Sequence, residues 1–154
     1  MSIITRTTVQ RLIADIKEVN KSDLSKDGIH YIHDDSNMLR GYALIIGPED
    51  TPYAYGNFLF KFDFPIDYPH KPPTLTYYTN DGYTRFHPNY YKNGNVCISI
   101  LNTWKGEQWT GCQTIKSVLL TLCSILTNNP LINEPGISKK HKDIIPYNKI
   151  IRYK

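Results

Sequence analysis

No stretch of this sequence approaches the ~20 consecutive apolar residues that a helix needs to cross a bilayer. The first residues, Met1 to Val9, lack the apolar core of a signal peptide. Nothing in the sequence directs the chain to a membrane or to secretion, so a cytoplasmic or nuclear setting is expected. Cysteine is scarce and odd in number: Cys97, Cys112 and Cys123, with no C-x-x-C spacing. That argues against a disulfide framework and a zinc site, and it fits a reducing compartment. Internal repeats and low-complexity linkers are also absent, so residues 1–154 are read as one domain, long enough to bury roughly 70% of the surface exposed on unfolding. No overall basic footprint for nucleic acid exists either. The net charge of +4 is concentrated in Ser138 to Lys154, which holds six Lys/Arg against the single acid Asp143. The remaining residues carry twelve basic and thirteen acidic side chains. The basic tail is either a solvated helix face or a contact for an acidic partner.

The apolar pattern that is present predicts an α+β fold. Val9, Leu12, Ile13, Ile16 and Val19 recur at helical spacing, and Thr7 with Gln10 has capping-box spacing, so a first helix is expected to begin near Thr7. Four strands follow: Ile29 to His33, Leu39 to Gly47, the segment Phe58 to Phe64, and Thr74 to Thr79. Phe58, Phe60, Phe62 and Phe64 alternate with other residues, and a period of two puts their rings on one strand face. Short connections, including the turn residues Gly47-Pro48-Glu49-Asp50, make the strands an antiparallel meander. Its aromatic face needs a helix against it. A second amphipathic helix, from about Gln113 to Thr127, is the natural cover, with Ile115, Val118, Leu119, Leu122 and Leu126 on its apolar stripe and Cys123 in the core. A short basic helical segment, Pro146 to Tyr153, ends the chain.

Between the last strand and the second helix, Thr79 to Gln113 shows little periodicity. Irregular segments that long inside a compact domain are usually functional. This one holds His87-Pro88-Asn89, Gly94, Cys97, Trp104 and Trp109. On residue type alone, Cys97 is either a small core residue or a nucleophile. Paired with His87 it would suggest a cysteine hydrolase, in which imidazole takes the thiol proton; no local cysteine-protease signature surrounds it.

The run His87-Pro88-Asn89, seven residues, then Cys97-Ile98-Ser99-Ile100-Leu101 resembles the active-site segment of the ubiquitin-conjugating enzymes. Tyr68-Pro69-x-x-Pro72-Pro73 is similar to the proline motif after that family's third strand, and Gly47-Pro48 before Thr51-Pro52-Tyr53 and Gly56 to its turn between the second and third strands. The order of helix, four strands, active-site loop and helix covers nearly the whole chain. Within the family, Thr103-Trp104-Lys105-Gly106 ahead of Trp109, with Asn129-Pro130 and Asn133-Glu134-Pro135-Gly136, resembles a minor branch. That branch includes the catalytic cores of large chimeric conjugating enzyme–ligase proteins.

The resemblance implies a ubiquitin-conjugating catalytic core with no cofactor. Cys97 would accept ubiquitin, or a ubiquitin-like modifier, as a thioester from an activating enzyme, and a lysine of a protein substrate would then take it. Asn89 matches the asparagine assigned to oxyanion stabilisation, with loop holding as the competing role. His87 is read as structural. Asn133 lies nearest the position where many members carry an acid that orients the incoming amine, and Glu134 is the only acid between Thr127 and Gly136; a plain loop or cap role for Glu134 is the alternative. Arg6, Arg11 and Lys17 on the first helix are candidates for docking the activating enzyme. Leu131, Trp104 and Trp109 border the expected channel for the modifier's tail, and Trp109 is read as core first. His70 and the pair Gly111 and Cys112 replace an aromatic and a Pro-Ala pair on the two loops that RING ligases grip, so a ligase partner is expected that is not of the common RING type. Aromatic-proline sequence and resemblance both point to a cis Tyr68–Pro69 bond. Non-catalytic members that act as binding modules lack the cysteine; this chain has it.

Overall fold

The computed structural model describes residues 3–154. Helix α1 spans Arg6–Lys21 and is followed by strands β1 (Ile29–His33), β2 (Arg40–Ile46), β3 (Asn57–Asp63) and β4 (Thr74–Tyr77). Helices α2 (Ile115–Ser124) and α3 (Ile144–Tyr153) complete the regular elements, with short 3-10 turns at Leu24–Asp27, Ser99–Leu101 and Pro130–Asn133. The four strands form one antiparallel sheet in the order β1-β2-β3-β4, the expected meander.

The alternating phenylalanines set the core. Phe58, Phe60, Phe62 and Phe64 are each 5% exposed or less. Small residues on β2 face the two most buried rings: Ala43 pairs with Phe60 and Gly41 with Phe62. Gly41 also leaves room for the Tyr31 phenol, because a Cβ there would lie 2.1 Å from its oxygen. Helix α2 buries Ile115, Val118, Leu119 and Leu122 and approaches both β2 and α1. It is not the sole cover. Tyr77 and Tyr90 pack on Phe60, the latter edge-on at 5.1 Å between centroids, and the Tyr90 hydroxyl donates to the Leu122 carbonyl at 2.8 Å. The irregular loop is thereby wedged into the core rather than laid over it.

Several expectations shift. Helix α1 begins earlier than Thr7, because Thr5 is the cap: its hydroxyl accepts from the Thr8 amide at 3.1 Å, while the Thr7 hydroxyl bonds to that of Thr5. The inward stripe is Thr8, Leu12, Asp15 and Val19, and Ile13 is left 39% exposed. A carboxylate tolerates the inward position only because Asp15 accepts from Arg11 Nε at 2.8 Å and from the Tyr68 hydroxyl. Helix α2 is shorter than expected at both ends. Thr114 caps it through a reciprocal pair with Ser117, a capping box written with serine in place of Glu or Gln. Helix α3 starts two residues before Pro146, whose missing amide hydrogen falls in the first turn where no partner is needed. Cys123 is half-buried rather than core: its Sγ lies 3.9 Å from the Asp27 carbonyl, at a surface cleft. The Tyr68–Pro69 bond is cis.

Candidate active site

The spacing of Asn89 and Cys97 follows from a tight reversal. Tyr91 and Asn95 close a turn, with the Tyr91 amide donating to Asn95 O at 2.9 Å and the Gly94 amide to Tyr91 O at 2.9 Å. Tyr90 bridges Val96 across it, and the Cys97 amide donates to Asn89 O at 2.9 Å. The Asn89 side chain answers, with Nδ2 donating to the Cys97 carbonyl at 2.6 Å. Asn89 and Cys97 are thus fastened to each other by both backbone and side chain. Asn89 is 9% exposed and its Oδ1 is buried without a partner. Cys97 is half-buried; burial pushes its thiol pKa up, and the Arg85 guanidinium pulls it partly back.

The segment leading to Asn89 is anchored residue by residue to distant elements. The Arg85 carbonyl accepts from Tyr147 Oη of α3 at 2.6 Å, and the Phe86 carbonyl from Tyr53 Oη at 2.7 Å. His87 Nε2 meets the Ile125 carbonyl at 2.9 Å, and its Nδ1 accepts from the Asn89 amide at 2.9 Å. Those partners fix the neutral Nε2–H tautomer, since a carbonyl takes only a proton and an amide N–H needs a lone pair. Asn133 Nδ2, 3.4 Å from Nε2, then faces a donor and gains no bond from it. Fully buried and with both nitrogens committed, His87 has no lone pair for the Cys97 thiol, which removes the cysteine-hydrolase reading.

Burial lowers the His87 pKa to about 4. The unfolded chain, with histidine near 6.5, therefore binds more protons than the folded one between about pH 6.5 and 4, and stability falls as pH drops through that window. At about 1.4 kcal/mol per pH unit, the loss by pH 5 is about 2 kcal/mol. Urea unfolding at pH 7.5 and 5.0 measures it, and imidazole nitrogen shifts assign it. A His87 ring protonated at pH 5.5 in the folded protein would contradict this account.

Two clefts lie near the cysteine, which lines the first. One of about 310 Å³ is walled by Pro72, Pro73, Leu75, Val96, Leu101 and Cys97 itself. The other, about 200 Å³, is lined by Asn89, Ser99, Trp104, Ile125 and Asn133. The segment Thr103 to Gly106 forms one wall of the second through Trp104, and Gly106, at φ +133°, lets it fold back on Ser99, where a Cβ would come within 3.0 Å of the serine Cβ. Asn133 therefore shares a cleft with Asn89. Glu134 instead pairs with Arg85, Oε2 to Nη2 at 3.2 Å. Leu131 is half-buried beside Asn133, whereas Trp109 is buried at 8% exposure with Nε1 donating to Pro69 O at 2.8 Å.

That indole bond joins the loop of exposed His70 to the loop of exposed Gly111 and Cys112. Arg11 reaches the same place: Nη1 donates to Gly111 O at 2.7 Å and Nη2 to Gln113 O at 2.5 Å. Its guanidinium is committed to fastening α1 to this loop, while Arg6 and Lys17 are exposed.

The ubiquitin-conjugating enzyme family model matches residues 11–149. Ubiquitin-conjugating enzyme E2 Z of Homo sapiens is 43% identical over 146 residues, 93% of this chain and 41% of that protein. The dual E2 ubiquitin-conjugating enzyme/E3 ubiquitin-protein ligase BIRC6 of Homo sapiens is 47% identical over 103 residues, 63% of this chain and 2% of that protein. This chain spans less than half the length of these relatives. Among solved structures, human ubiquitin-conjugating enzyme E2 G1 superposes with a TM-score of 0.68 at 34% identity, covering 81% of this chain and 98% of that one. The chain belongs to the ubiquitin-conjugating enzyme family.

Proposed function

We propose that Cys97 carries ubiquitin, or a ubiquitin-like modifier, as a thioester received from an activating enzyme, and passes it to a lysine of a protein substrate. The observation that carries this reading is the pairing of a half-exposed thiol with an asparagine amide on one fastened loop, the thiol lining one cleft and the asparagine another. The thiolate of Cys97 attacks the activating enzyme's thioester and expels that enzyme's thiolate, an exchange between like bonds. A neutral lysine then attacks the carbonyl, giving a tetrahedral oxyanion whose nitrogen gives up a proton to solvent; collapse forms the isopeptide and frees the Cys97 thiolate. Cysteine suits both steps because its thiolate is a strong nucleophile in the exchange and a good leaving group in the aminolysis. The lysine, with a pKa near 10.4 in water, must lose its proton at the site. Asn133 and Glu134 are proposed to shape its approach. The test is incubation with ubiquitin, activating enzyme and ATP. A heavier band that dithiothreitol removes is expected; its absence with ubiquitin and with ubiquitin-like modifiers would defeat the reading.

Partner docking belongs to the same proposal. Arg6 and Lys17 are open on α1 for the activating enzyme, and Arg11 shapes the neighbouring loop. An intracellular setting, cytoplasmic or nuclear, is part of the same proposal and rests on the scarcity and spacing of cysteine in the sequence. For the ligase, the surface formed by the two loops presents exposed His70, whose ring nitrogens must stay solvated or bonded, at a cost of about 1–3 kcal/mol if covered by an apolar partner. Flexibility at Gly111 contributes less than its sequence suggests, since Arg11 holds its carbonyl and a tight turn closes from Thr110 to Gln113. Common RING domains are therefore expected to stimulate discharge of charged enzyme at least tenfold less than they stimulate a partner with an aromatic at this position. His70→Phe should restore most of the effect, and Gly111→Pro with Cys112→Ala should add little. Strong stimulation of the wild-type protein by several RING domains would show that the substitutions are tolerated.

A further inference from the structure

Near Cys97, the Arg85 side chain, two residues before His87 and outside every motif quoted above, meets three neighbours through its guanidinium, while its buried Nε has no hydrogen-bond partner among the described residues. Its Nη2 donates to the Pro88 carbonyl and lies 3.2 Å from Glu134 Oε2, and its Cζ sits 4.4 Å from the centroid of the Tyr91 ring. Its own carbonyl is held by Tyr147 of α3. We infer that Arg85 is a positioning residue for transfer: one guanidinium joins the Asn89 segment, the Tyr91 ring and the Glu134 carboxylate into a single unit around Cys97.

Each partner comes from a different side of the site. Pro88 directly precedes Asn89, whose amide is fastened to Cys97. Tyr91 opens the tight reversal that returns the chain to Cys97. Glu134 follows Asn133, which lines the cleft shared with Asn89 and Trp104. Guanidinium chemistry fits all three at once, because its edge donates to carbonyl and carboxylate oxygens while its face stacks on the phenol. The ammonium of lysine has no flat face and acts as a point charge. The ion pair is about one-third exposed on both sides, so it adds little stability by itself. What it supplies is geometry, and misplacing reacting groups by about 1 Å can cost on the order of 10²-fold in rate. The thiol is also reached by the Arg85 charge, which opposes the effect of burial on Cys97.

This inference rests on the proposed thioester chemistry, and the experiment separates the two. Single-turnover discharge of charged enzyme to free lysine is measured across lysine concentrations for wild type, Arg85→Gln, Arg85→Lys, Glu134→Gln and the Arg85→Gln/Glu134→Gln pair. Arg85→Gln and Glu134→Gln should each lower the rate at saturating lysine by about 10- to 100-fold. The pair should be no slower than the slower single variant, because both remove one device. Arg85→Lys should recover only part of the loss. Multiplied effects in the pair, or wild-type rates in Arg85→Gln, would overturn the inference, as would a lowered melting temperature with unchanged discharge. If Arg85→Gln does not fold, wild-type discharge by both Arg85→Lys and Glu134→Gln overturns it equally. Iodoacetamide alkylation of Cys97 against pH needs no modifier: its midpoint should rise in Arg85→Gln and stay near wild type in Arg85→Lys, and no rise in Arg85→Gln counts against the inference. Failure of the wild-type protein to form any thioester would instead defeat the reading on which discharge depends.

Discussion

Replacing Cys97 with serine is expected to trap the modifier as an oxyester that survives dithiothreitol, yields to hydroxide and no longer transfers to lysine. The hydroxyl occupies the same place in the cleft that Cys97 lines, so it can still meet the activating enzyme's thioester. An oxygen ester is less reactive toward amines, and thiols do not readily reverse it. Accessibility alone would not single out Cys97. Cys112 is the more exposed thiol, and Cys123 opens to a surface cleft beside Asp27. Among the three cysteines, only Cys97 has an asparagine amide bonded to its own backbone carbonyl, and the Arg85 guanidinium acts on its thiol. Cys112→Ser and Cys123→Ser should therefore charge at wild-type rates, while Cys97→Ser forms no reducible adduct. Because burial raises the Cys97 pKa, its thiolate is a small fraction at neutral pH, and its alkylation rate should climb steadily from pH 6 to 8. A reducible adduct on the Cys97→Ser protein, mapped by mass spectrometry to another cysteine, would remove the foundation of the proposal.

The sheet and the position of the nucleophile were legible because local patterns code for them. Phe58 to Phe64 carries a period of two that admits one reading, and all four strands fall within a few residues of the expected bounds. His87-Pro88-Asn89 with Cys97 at fixed spacing becomes intelligible once the tight reversal at Tyr91 to Asn95 is seen. The helix boundaries were less legible, since Thr5 and Thr114 cap through side chains whose use depends on the neighbouring geometry. Least legible were residues whose roles are defined by distant partners. Asp15 sits on the buried face of α1, which hydrophobic spacing cannot foresee, because its partner Tyr68 is 53 residues away. Arg11 is an open basic residue in sequence, yet it binds a carbonyl 100 residues on. Arg85 belonged to no motif: its neighbours Tyr147, Glu134 and Tyr91 converge only in the folded chain. The one hint was position, two residues before a histidine on a loop already suspected of chemistry.

Asn89→Ala is expected to slow lysine attack by about 10²–10³-fold while leaving thioester formation within a few-fold of wild type. Two roles compete for this side chain, and the geometry states both. In the uncharged protein, Nδ2 holds the Cys97 carbonyl at 2.6 Å, which fastens the loop. An amide nitrogen carries two protons, however, and one remains after that bond is made. Once Cys97 bears an acyl group, attack by an amine turns the thioester carbonyl into an oxyanion next to this amide. A donor fixed in advance at that point needs no reorganisation, and the fastening to Cys97 is what fixes it. Losing only the fastening would cost about 0.5–1.5 kcal/mol of stability and disturb both steps alike. For a protein of this length, that is a fall of about 2–4 °C in melting temperature per kcal/mol. Losing the oxyanion donor would act on the step with the poorer nucleophile and the more developed charge, the aminolysis. Thiol exchange needs the donor less, because thiolate is both a strong nucleophile and a good leaving group. Asn89→Asp sharpens the contrast, since an ionised carboxylate keeps the size of the amide but cannot donate and repels an oxyanion. It should discharge no faster than Asn89→Ala. Charging rate, single-turnover discharge to lysine and melting temperature, measured on the same three proteins, decide between the roles. Equal slowing of both steps with a matching loss of stability would assign Asn89 to the loop alone.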